Sequence, residues 1–166
     1  MAEYELESPM GEEAIRKLRV GDVVYLSGVI YTARDAAHRR ALKYAREGKK
    51  LPVDFRGHAV YHCGPVMKKV DRGWKVISCG PTTSTRMEAI EAEFIERFGV
   101  RMIIGKGGMG SKTSEALKKH GAVYVLFTGG AGALAAERIK RVAGVCLLYT
   151  SPSPRDLSTS RMPSSA

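Results

Sequence analysis

The sequence predicts a single α/β domain, a layered sheet with flanking helices. Three observations carry this. Apolar runs alternate with helical periodicities through residues 101–142, the pattern of strands and helices packed in layers. Gly64-Pro65 and Gly80-Pro81 punctuate the first half, which marks a more irregular, β-rich part. Hydrophobic residues make up 44% of the 166-residue chain, enough for a buried core and too much for global disorder.

In chain order, residues 22–31 read as a strand-like run leading into a helix over 33–47, closed by Gly48. A polar, basic stretch follows. Residues 58–63 read as a strand ending at Gly64-Pro65, and 74–79 as a strand ending at Gly80-Pro81. The spacing of Thr85 and Glu88 predicts a capping box with Thr85 as N-cap. Behind it Met87, Ile90, Phe94 and Phe98 recur at helical spacing, and Gly99 supplies the stop. Residues 101–104 form a short apolar strand, 105–110 a glycine-rich loop and 111–120 a helix stopped by Gly121. A strand over 122–127, a second glycine-rich turn and a basic amphipathic helix over 133–142 complete the pattern.

From residue 147 onward Ser, Thr and Pro dominate and apolar periodicity ends. The expectation is a domain over 1–146, truncated at its C-terminus, and a disordered tail over 147–166 with the character of translated sequencing adapter. Residues 1–11 are acidic and polar and lack a signal-peptide core, and no apolar run approaches the roughly 20 residues of a membrane span. A cytoplasmic protein without a membrane partner is expected. Cys63, Cys79 and Cys146 form no CxxC pair and no ligand spacing with histidine, so reduced thiols and no metal site in this chain are expected.

The formal net charge of +10 raises the question of nucleic acid. Its densest source is Arg39, Arg40, Lys43, Arg46, Lys49 and Lys50, accompanied by Tyr44 but by no aromatic stacking series. A solvated face or a docking surface for an acidic partner is the preferred reading; a basic nucleic-acid or nucleotide-binding module is the alternative.

The chemistry concentrates where strands give way to helices. Gly80-Pro81-Thr82-Thr83-Ser84-Thr85-Arg86-Met87 places hydroxyls and an arginine in a helix-opening turn. Tyr31-Thr32-Ala33-Arg34-Asp35 repeats the pattern, with Thr32 and Asp35 at capping-box spacing. Gly105-Lys106-Gly107-Gly108-Met109-Gly110 sets a lysine in a loop whose glycines let backbone N–H groups approach a ligand. Each junction presents a cation beside helix-terminal donors, which suits an anion with more than one charged group. The glycine loop matches GxGxxG, but no acid follows the next strand, at Phe127-Thr128-Gly129-Gly130. It fails as a P-loop because Ser111 separates Gly110 from Lys112-Thr113. The acid–base inventory is thin: His38 and His62 have no orienting partner visible in sequence.

These residues resemble the iron–sulfur hydro-lyases, in the C-terminal domain of class I fumarase and the β subunit of fumarase or L-tartrate dehydratase. The matching pieces are Gly21-Asp22-Val23-Val24, Ser27-Gly28, Tyr31 to His38, Gly64-Pro65-Val66, Gly80 to Met87 and Ile104 to Met109. The resemblance implies a swivelling β/β/α domain. It implies that Arg34, Arg86 and Lys106 hold the carboxylates of a dicarboxylic acid, and that Thr82 or Thr83 is the catalytic threonine. It further implies a 4Fe-4S cluster bound by a partner α subunit and not by this chain, within a heteromeric oligomer. The expected activity is that of a hydro-lyase active only with the α subunit: reversible hydration of fumarate to malate, as in the tricarboxylic acid cycle, with tartrate dehydration as the alternative.

Overall fold

The computed structural model describes residues 1–146; the tail expected over 147–166 lies outside them. Four parallel strands form the central sheet in the order β3-β4-β7-β8: β3 (Ile30–Thr32), β4 (Ala59–Tyr61), β7 (Met102–Gly105) and β8 (Val123–Leu126). Its inner strands carry continuous apolar runs because both faces are covered. Ala59, Val60, Met102 and Ile103 are all essentially inaccessible.

Alternation along these strands divides the core. Val60 and Ile103 face helices α2 (Asp35–Arg46), α3 (Glu88–Phe98) and α4 (Ser111–His120), where they pack with Leu42, Phe94, Ile95 and Leu117. Ala59 and Met102 point the other way, onto Ile15 of helix α1 (Glu12–Arg16). Leu6 of β1 (Glu3–Ser8) and Val24 and Leu26 of β2 (Val23–Gly28) complete that cluster. Tyr61, Cys63 and Cys79 meet Val76 on this same side, beside the hairpin of β5 (Val66–Val70) and β6 (Gly73–Ser78). The result is a β layer, a second β layer and an α layer, as the layered expectation requires. Burying one side chain the size of Phe94 contributes about 1.5–3 kcal/mol.

Several expected elements change on inspection. The run at 22–31 is two strands, because Gly28 (φ +85°) breaks it and sits so close to the Ser8 backbone that a Cβ would overlap the Ser8 carbonyl. The acidic N-terminus is strand β1, paired in parallel with β2 in the register Tyr4↔Val24 and Leu6↔Leu26. The last helix, α5 (Gly132–Glu137), is shorter than the periodicity suggests. Gly99 and Gly121 do end α3 and α4, both left-handed at φ +63°. Among the described residues no helix is long and apolar enough to cross a membrane.

Candidate anion-binding site at the carboxyl edge of the sheet

Parallel strands leave their C-terminal ends at one edge of a sheet, where ligands of open α/β folds bind. At that edge β3 leads into Arg34, β4 into His62-Cys63-Gly64, and β7 into Lys106. The Thr82–Ser84 segment is woven between the last two. The Thr82 N–H donates to the His62 carbonyl at 2.7 Å, Thr83 bridges to Lys106 as a parallel strand would, and the Ser84 N–H donates to the Lys106 carbonyl at 3.0 Å. Thr82 and Thr83 are half-buried there, and Arg86 stands exposed two residues beyond Ser84. On the other side the Ala33 N–H donates to the Tyr61 carbonyl at 3.0 Å. The Arg34 side chain lies across Gly64, where a Cβ would come within 2.7 Å of Arg34 Cδ. The structure thus gathers all five sequence-predicted residues onto one edge. Among the described residues Arg34, Arg86 and Lys106 make no ion pair, so no internal carboxylate competes with a ligand for them.

The capping expectations fail. Neither the Ser84–Met87 turn nor α3 has a side-chain cap; Thr83 and Met87 hold those positions, and Arg34 is the N-cap residue of α2, again without a side-chain bond. Glu88 leaves its own helix and caps α4. It accepts from the Gly110 N–H at 2.7 Å, the Thr113 hydroxyl at 2.7 Å and the Thr113 N–H at 3.3 Å. Burial works against its ionisation, but these donors outweigh that and hold its carboxyl below the usual range. Two of the amides that a phosphate-binding loop would offer, those of Gly110 and Thr113, are therefore taken. A carboxylate already at the start of α4 weighs against a nucleotide site at 105–113. The basic run is likewise partly spent within the chain, with Arg46 on Glu93 and with Lys43 and Lys49 on Glu47.

Beneath the edge lies a polar chain that periodicity alone did not reveal. His38, His62, Ser84 and Glu91 are all fully buried. The Gly108 N–H donates to the Tyr124 hydroxyl (3.3 Å), which donates to Ser84 Oγ (3.0 Å). Ser84 donates to His62 Nδ1 (2.9 Å), and His62 Nε2–H donates to Glu91 Oε2 (3.0 Å). His38 Nε2 lies 3.1 Å from the same oxygen, and its Nδ1–H donates to the Arg34 carbonyl at 2.8 Å. Burial disfavours charge on both partners, but the pair overrides it: the Glu91 carboxyl is held down at about 2, and His38 is raised above the ordinary imidazole range. Gly105 is required here, because a Cβ would overlap Ser84 Oγ.

The expectation that no metal-ligating group forms needs one correction. Donor atoms of His38, His62 and Glu91 lie within 4.8 Å of one another, a set able to ligate a metal ion. His62 Nε2 bonds one Glu91 oxygen, His38 Nε2 lies 3.1 Å from the same oxygen without hydrogen-bond geometry, and the group is sealed from solvent, which suits an ion-paired structural network. The signal available in sequence was position: His38 shares the buried face of α2 with Ala41 and Leu42, and Glu91 that of α3 with Phe94 and Ile95.

The thiols do not fit an iron–sulfur cluster held by this chain. Cys63 and Cys79 pack together under the β5–β6 hairpin, whereas Cys146 is exposed. Burial pushes the Cys63 thiol up to about 12 and raises Cys79, and no group of three metal-ligating side chains among the described residues includes a cysteine.

The fold is a parallel β layer backed by helices, with cations at the strand ends that make no ion pair among the described residues. Comparison with known proteins makes this specific. The family model described as Fumarase C-terminus matches residues 1–148, and the chain belongs to that family. It is 46% identical over 110 residues to the L(+)-tartrate dehydratase subunit beta of Escherichia coli K12, covering 66% of this chain and 53% of that protein. A Geobacillus stearothermophilus protein provisionally named fumarate hydratase class I is 49% identical over 114 residues, 68% of this chain and 21% of its own length. A Methanocaldococcus jannaschii protein provisionally named L(+)-tartrate dehydratase subunit beta is 50% identical over 95 residues, 57% of this chain and 49% of its own. The chain thus spans about half the length of the β subunits and about a fifth of the fumarate hydratase.

Proposed function

We propose that this chain is the substrate-holding β part of a class I fumarate hydratase, catalysing reversible hydration of fumarate to malate with an iron–sulfur α subunit in a cytoplasmic heteromer. The observation that carries the reading is the carboxyl edge itself: three cations that make no ion pair among the described residues, around the interwoven Thr82–Thr83 segment. In this reading Arg34, Arg86 and Lys106 bind the two carboxylates and fix the carbon skeleton between them. Thr82 or Thr83 faces the reacting carbon and passes its proton. A 4Fe-4S cluster on the α subunit supplies Lewis acidity toward the hydroxyl. Within the proposal, residues 1–146 are the domain and 147–166 lie beyond it.

The test is anaerobic co-expression with an α subunit and an absorbance assay of fumarate. The pair is expected to turn over and this chain alone to be inert; robust activity without a partner sinks the shared-site mechanism. The second reading, L-tartrate dehydration, is favoured by the names of the Escherichia coli and Methanocaldococcus relatives. Assaying both substrates with the same pair decides between them.

Gly64→Ala offers a graded check on Arg34. The new methyl meets a flexible side chain, not backbone, so the fold should hold while Arg34 is pushed aside. The expected outcome is a severalfold rise in KM with an unchanged urea midpoint. An unchanged KM would show that Arg34 works from elsewhere.

A further inference from the structure

The three corners of the edge are joined from below by a chain of hydrogen bonds from the Gly108 N–H through Tyr124, Ser84 and His62 to Glu91, continued by the 3.1 Å ion-pair contact of Glu91 with His38 and the His38 bond to the Arg34 carbonyl. Its ends are the glycine loop that carries Lys106 and the residue that carries the first guanidinium. Between them, Ser84 adjoins Thr83. One assignment of protons runs through the sequence of contacts with His62 neutral in its ring. The Arg34 carbonyl and the Glu91 carboxylate accept, so His38 donates from Nδ1 and His62 donates from Nε2. His62 Nδ1 then accepts from Ser84, which accepts from Tyr124, which accepts from the Gly108 amide. Three of the links, from Ser84 to His38, are sealed from water, so a broken contact there cannot be replaced by solvent and a partial arrangement is costly.

We propose that Tyr124, Ser84 and His62 are positioning residues: through this chain the glycine loop, the Thr82–Thr83 segment and the Arg34 turn order as one unit, so the dicarboxylate meets a clamp whose corners are set together. The inference rests on the proposed function for its ligand, but the mechanical coupling stands apart from it. None of the three residues need touch substrate. They act through the backbone of those that do.

Tyr124→Phe is the mildest cut, removing one hydroxyl and keeping the ring. In the full chain, amide hydrogen exchange is expected to speed up at Gly108 and also at residues 82–86 and 34–38, on the far side of the network. Acceleration confined to 107–109 would overturn the coupling. In the reconstituted pair Tyr124→Phe is expected to raise KM about fivefold, the scale of one hydrogen bond, with kcat little changed. A purely structural lesion would lower the active fraction, and so kcat, at constant KM; that result would also overturn the proposal. Ser84→Ala cuts the same chain, so Tyr124→Phe added to it should produce no further rise in KM, whereas multiplying effects would show independent roles. If the pair turns over neither fumarate nor tartrate while the long-range exchange effect persists, the functional reading falls and the coupling stands.

Discussion

Glu91→Ala will lower the unfolding free energy of the chain by about 3–5 kcal/mol, the usual cost of removing one partner from a buried ion pair. Glu91 is fully buried and is the acceptor on which both His38 and His62 converge. Without it, His38 stays buried with no counter-charge beside its Nε2. The pH profile makes the test specific. Glu91 is held at about 2, below its unfolded value near 4.5, so its contribution is present above pH 4.5 and is lost as pH falls toward 2. His38 is raised above 6.5, so its contribution is full below pH 6.5 and is lost as pH rises through its folded value. Wild-type stability should therefore decline on both sides. In Glu91→Ala the alkaline limb reverses: burial alone then disfavours the imidazolium, and stability should rise with pH. Urea midpoints measured from pH 4 to 9 distinguish the two shapes; parallel curves for both proteins would mean the pair carries no charge.

Arg86→Ala will cost about 2–5 kcal/mol of transition-state binding in the reconstituted enzyme, a fall in kcat/KM of roughly thirty- to several-thousand-fold. Arg86 is exposed on the Ser84–Met87 turn and makes no ion pair among the described residues, so the fold should not register its loss. That separation is the value of the experiment. An unchanged urea midpoint with collapsed kcat/KM places Arg86 on the substrate, while near-wild-type kinetics remove it from the site. The expected loss exceeds that from Gly64→Ala because a charge-assisted contact is deleted and not merely displaced.

Most of the architecture was legible because glycines, prolines and apolar periodicity punctuate it. Helix α4 falls where its stop and spacing put it, and the inner strands betray themselves as unbroken apolar runs. Strand β1 escaped because Glu3, Glu5 and Glu7 mask the alternation of Tyr4 and Leu6, which is visible only once β2 lies beside it. The candidate site was legible as a set of cations at strand ends. Its supporting layer was not: His38, His62, Ser84 and Glu91 are far apart in sequence, and each looks unremarkable until the sheet and two helices bring them together. The capping boxes misled for the same reason. Thr85 and Glu88 have the spacing, but tertiary packing offered Glu88 the amides of α4, which outbid a local bond within its own turn.

That choice by Glu88 gives the glycine loop a different character from its appearance. The loop and the start of α4 have the outline of a phosphate cradle, yet the cradle is already filled by the chain's own carboxylate, held on Gly110 and Thr113. A tethered anion is always present at high effective concentration, so free phosphate or a nucleotide would have to expel it before binding. The fold thereby keeps one anion-shaped site closed a few residues from the edge proposed to take a dicarboxylate, and in that proposal selectivity begins with a glutamate that never meets the substrate.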